Sequence, residues 1–79
     1  MSAHLYITMA DVPDRARIAL VKRRDAMRGD TLVSFRQCPV TGREAANGEI
    51  EFPFPRSLEI RQGLEFWLEY WGIPWRVLP

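Results

Sequence analysis

Seventy-nine residues with eleven cationic and ten anionic side chains form a near-neutral chain, with room for a single domain and one thin two-layer core. Cys38 is the only cysteine, which excludes an internal disulfide and leaves a zinc site to be built from His4 and carboxylates alone. No stretch approaches the ~18 apolar residues of a membrane span, and Met1–Tyr6 carries no basic leader region, so a soluble, cytoplasmic protein is expected.

In chain order, His4 to Met9 alternates, with Leu5, Ile7 and Met9 on one side and His4, Tyr6 and Thr8 on the other. That period of two predicts a half-buried strand. Asp11 is placed to cap a first helix, with Pro13 in its first turn. Val12, Ala16, Ala19, Leu20, Ala26 and Met27 follow at helical spacing as its core stripe, and Gly29 is its terminator. Thr31 to Cys38 reads as a second strand stopped by Pro39, with Cys38 a small half-buried residue at its end. Residues 40–48 read as a loop that closes on the turn pair Asn47-Gly48.

Glu49 to Phe54 alternates again, with Ile50, Phe52 and Phe54 toward the core and Pro53 marking an edge or an end. Ser57 caps a second helix whose stripe is Ile60, Leu64, Trp67, Leu68 and Trp71, ended by Gly72 and Pro74. Trp75 to Leu78 can add a short closing strand. The order is βαββαβ, which predicts an α+β domain of the ferredoxin-like type, an antiparallel sheet with two helices on one face.

Charge is sorted along the chain. Residues 1–43 carry eight basic and four acidic groups (net +4), and residues 44–79 carry three basic and six acidic (net −3). Ten of the eleven cations are arginine, whose planar fork of donors suits specific contacts to carboxylate or phosphate. On the expected first helix, Arg17, Arg24 and Arg28 fall within about 40° of one another, away from the core. On the second helix, Phe66 and Tyr70 point away from the stripe and are the candidate interface aromatics. Glu49 and Glu51 share the outer face of their strand, and Glu65 and Glu69 lie one helical turn apart. Arg17, Arg24, Arg28, Glu49, Glu51, Glu65 and Glu69 are the candidate partner-binding charges.

Catalysis finds little support in these residues. His4 is the only histidine and faces away from the core, a Cys38–His4 dyad requires neighbouring strands, and the carboxylate pairs read as solvent-facing. No phosphate loop, metal cluster or cofactor motif is present, so the expectation is a binding protein without catalytic residues, metal or cofactor. An RNA-recognition role on the sheet is disfavoured, because Glu49 and Glu51 occupy the positions where bases would stack.

In these features the whole chain resembles the small phage-encoded anti-CRISPR proteins, in particular inhibitors of the type I-C Cascade. It shares with them a short single domain, no catalytic set, arginine-rich and glutamate-rich patches, and aromatics in the second half. The resemblance implies a stoichiometric inhibitor in a bacterial cytoplasm that docks on a Cascade subunit and blocks target DNA. Two other readings stay open: a homodimeric regulatory or structural phage protein, and a nucleic-acid binder working through the first-helix arginines.

Overall fold

The computed structural model describes residues 3–79. Met1 and Ser2, the start of the stretch read for a leader, lie outside the described residues. The chain forms a six-stranded, wholly antiparallel sheet with one long helix and one single-turn helix. The strands are β1 (His4–Thr8), β2 (Val21–Arg24), β3 (Thr31–Ser34), β4 (Gly42–Glu44), β5 (Glu49–Pro53) and β6 (Arg76–Leu78). The helices are α1 (Asp14–Arg17) and α2 (Leu58–Tyr70), and short 3₁₀ turns span Met9–Asp11 and Ala46–Gly48. The sheet order is β2-β3-β4-β5-β1-β6.

The α+β class holds, but the four-stranded ferredoxin-like topology does not: there are six strands in a different order. The expected long first helix is the largest departure. Only Asp14–Arg17 is helical, Ile18 returns to extended backbone, and Ala19 adopts φ +64°. The chain then runs as β2 along β3, with Lys22 opposite Val33 and Arg23 opposite Leu32.

Residues 25–30 close that hairpin. Gly29 N donates to Asp25 O at 2.7 Å, Asp25 N donates to Asp30 O at 2.8 Å, and the Asp25 carboxylate accepts from Met27 N at 3.0 Å. Arg43 reaches over from β4 and clamps Asp25 and Asp30 at 2.9 and 2.7 Å. Of the expected helical stripe, Val12 and Ala16 enter the core, whereas Ala19 and Ala26 are exposed and Met27 is 93% exposed. A second departure is β4, which forms inside the expected 40–48 loop.

Elsewhere the local signals hold. Leu5 and Ile7 of β1 pair in register with Phe52 and Ile50 of β5, so alternation sends all four inward. Asn47 (φ 66°) and Gly48 (φ 74°) make the turn between β4 and β5. Ser57 Oγ accepts from Ile60 N at 3.4 Å as the α2 cap.

The far end of α2 closes with Gly72 left-handed, Gly72 N on Glu69 O at 3.1 Å and Ile73 N on Leu68 O at 2.9 Å. Ile73 and Leu68 are both buried beneath that cap. Leu64, Trp67 and Leu68 cover the sheet's apolar face, and the Phe35 ring packs 5.1 Å from that of Trp67. Ile60 is 45% exposed and Trp71 half-buried, so the stripe is narrower than its spacing suggests.

Candidate protein-binding site

The helices cover one face of the sheet and leave the other open. On the open face the strand registers align Arg23, Leu32, Arg43, Glu51, Tyr6 and Arg76 in one row across all six strands. The row is largely self-satisfied. The Tyr6 hydroxyl donates to Glu51 Oε2 at 2.7 Å, and the Arg76 guanidinium lies 5.1 Å over the Tyr6 ring while pairing with Glu49 at 2.6 Å. The hydrogen bond to Glu51 holds the Tyr6 phenol above its ordinary pKa, and the bond from Arg76 holds Glu49 below the usual carboxylate range. Glu49 and Glu51 therefore lie together, as their alternation predicts, but both are engaged within the chain.

The three candidate arginines do not form a row on a helix. Arg17 ends α1 and pairs with Asp14, Arg24 lies in β2, and Arg28 lies in the hairpin loop, 3.7 Å from Asp30. Among the described residues Arg24 alone of the three has no ion pair. Glu65 and Glu69 are on α2 without ion pairs; Glu69 lies one turn from Phe66, and Glu65 stands on the flank beyond it.

Cys38 and His4 are not brought together. His4 sits on the open face of β1, whereas Cys38 follows β3, and β4 and β5 separate those strands. Burial pushes the Cys38 thiol up to about 11, so it is protonated at neutral pH.

Phe66 and Tyr70 are 69% and 70% exposed, with ring centroids 6.5 Å apart. Tyr70 meets Trp71 edge-on at 5.1 Å, so the patch continues from the exposed rings into the half-buried one. Beside it runs the loop after β3. Trp67 Nε1 donates to Arg36 O at 3.1 Å, which fixes this loop against α2, and Gln37 takes a left-handed φ of +64°.

A hollow of 290 Å³ opens between loop and helix, lined by Gln37, Gly63, Phe66, Trp67, Tyr70 and Trp71. A second hollow of 250 Å³ shares Gln37 and Trp71 and adds Arg15, Ile18 and Arg36. Phe66 and Tyr70 are legible from helical spacing. Arg15, Ile18, Arg36 and Gln37 are not, because they join the site only when the loop and α1 close on α2.

The described residues contain no group of three or more His, Cys, Asp or Glu side chains placed to hold a metal ion. None of the described helices is long and apolar enough to cross a membrane. Compared with models of known families, with curated proteins and with solved structures, the chain matches none.

Proposed function

We propose that this protein is a non-enzymatic binding domain that docks on a protein partner through the outer aromatic face of α2, and that the partner is a Cascade-type complex whose access to target DNA it blocks. The exposed Phe66–Tyr70 pair carries the docking part. Large rings held mostly in water on a rigid helix, beside a groove that continues their apolar surface, are the raw material of an interface centre. The open sheet face supports this choice by contrast, since Tyr6, Arg43, Glu49, Glu51 and Arg76 are already engaged within the chain and Arg23 is the one charge of the row without a partner among the described residues.

The Cascade partner rests on the whole-chain resemblance to anti-CRISPR inhibitors. The test is a pull-down of tagged protein against purified type I-C Cascade, with and without target DNA. Retention of Cascade that target DNA competes away is the expected result. Cascade that flows through at micromolar concentrations overturns the partner.

A further inference from the structure

The two adjoining hollows differ in chemistry. The one along α2 is aromatic, and the one at the end of α1 is lined by Arg15 and Arg36 together with Ile18, which is 60% exposed. No aspartate or glutamate lines either. Arg15 and Arg36 are both exposed and neither has an ion pair among the described residues; Arg23, Arg24, Arg56 and Arg61 also lack one, but Arg15 and Arg36 line the same hollow. Two uncompensated forks of donors at one end of an apolar trough are complementary to carboxylates next to a large apolar side chain.

Taken singly, the hollows lie at the lower edge of the ~300–1,000 Å³ typical of small-molecule sites, a size suited to single side chains of a docked segment. A nucleic-acid strand fits less well. It carries a charge at every residue and would run on from Arg15 and Arg36 along α2 past the unpaired Glu59, Glu65 and Glu69, whereas a peptide can confine its carboxylates to the Arg15/Arg36 end.

Resting on the docking proposal, we infer that the groove between α2 and residues 36–37 takes an acidic peptide segment of the partner. A leucine or phenylalanine of that segment enters the hollow between Gln37 and Phe66, and adjacent carboxylates engage Arg15 and Arg36. Backbone strain sits at this site: Gln37 lines both hollows with φ +64°, and Ala19, next to Ile18, also has φ +64°.

Trp67 and Trp71 line the groove and report on its occupation. The experiment titrates the isolated protein with a short Asp/Glu peptide carrying a central Leu-Leu-Phe and no tryptophan, and follows tryptophan emission. Its controls are the same peptide with lysine for every acid, and single-stranded oligo-dT. The acidic peptide should give a saturable change. The lysine peptide and oligo-dT should bind at least about tenfold more weakly, and the Arg15→Glu/Arg36→Glu variant should lose at least about tenfold of acidic-peptide affinity.

Both arginines are exposed, so the variant should keep the parent circular dichroism and urea midpoint. The inference is overturned by no saturable change, by equal binding of the lysine peptide or of oligo-dT, or by unchanged binding in the folded variant. The docking proposal is read separately: Cascade binding that survives Arg15→Glu/Arg36→Glu overturns the acidic-segment inference alone, and absence of Cascade binding by the parent protein overturns the partner alone.

Discussion

Removing the two exposed rings, as Phe66→Ala/Tyr70→Ala, separates binding from folding. An aromatic side chain can bury roughly 150–250 Å², and about seven-tenths of each residue's surface is still in water. Roughly 100–170 Å² per ring is thus available to a partner, which at ~25 cal/mol per Å² is about 3–4 kcal/mol. Fixing each side chain costs about 1 kcal/mol, leaving ~2–3 kcal/mol per ring. The rings are neighbours, so their effects will not add fully.

The double variant should therefore bind Cascade at least ~100-fold more weakly by calorimetric titration. The covered third of each side chain contributes about 1–2 kcal/mol to folding, so urea unfolding of the double variant should show a loss of ~2–4 kcal/mol. A change in affinity below about threefold in the folded variant would refute the interface assignment. A folding loss of ~6 kcal/mol or more would show that the rings belong to the core.

Gly42→Ala should destabilise the domain by about 1–3 kcal/mol, because a Cβ there would sit 2.6 Å from Ile50 Cγ2 and 2.9 Å from Phe52 Cε1, both in the packed core. Urea denaturation checks it, and an unchanged midpoint would contradict the β4–β5 packing. Asp25 is held below its ordinary pKa chiefly by the hydrogen bond from Arg43, and Glu49 by that from Arg76. A lowered folded pKa gives stability that is present above the unfolded carboxylate range and lost as pH falls through the folded value. The urea midpoint should thus be level from neutral pH down to about 5 and fall below about pH 4, with Arg43→Met reducing the fall; a midpoint that rises on acidification would contradict both pairs.

Cys38, with its thiol pushed up to about 11, should alkylate at pH 8 on the order of 100-fold more slowly than in the urea-unfolded chain. Equal rates would show that it is not buried.

Where a strand or helix carries its own periodic pattern, the sequence was a sound guide. Leu5/Ile7 and Ile50/Phe52 alternate because one face of each strand meets the core, and Ser57 through Gly72 holds a cap, a stripe and a left-handed stop within one continuous segment. The stretch after Pro13 misleads for a physical reason. Its alanine, arginine, leucine and methionine are good helix formers at helical spacing. Their fate is set instead by pairing with β3 and by the Arg43 clamp on the Asp25–Asp30 loop, contacts between residues distant in sequence.

Gly42–Glu44 has too few residues to show any period and is a strand only because β3 and β5 flank it. The site divides in the same way. Phe66 and Tyr70 face outward by helical geometry alone, whereas the groove beside them needs Gln37 in a left-handed turn that no residue preference at that position announces.

Which surface touches the partner can be asked directly. Benzoylphenylalanine placed at Phe66 on α2, or at Glu51 on the open sheet face, is photo-activated in the presence of type I-C Cascade and scored for cross-linked product. A cross-link to a Cascade subunit is expected from position 66 and none from position 51. A cross-link from position 51 alone would move the interface to the sheet, and none from either position would contradict docking on this partner.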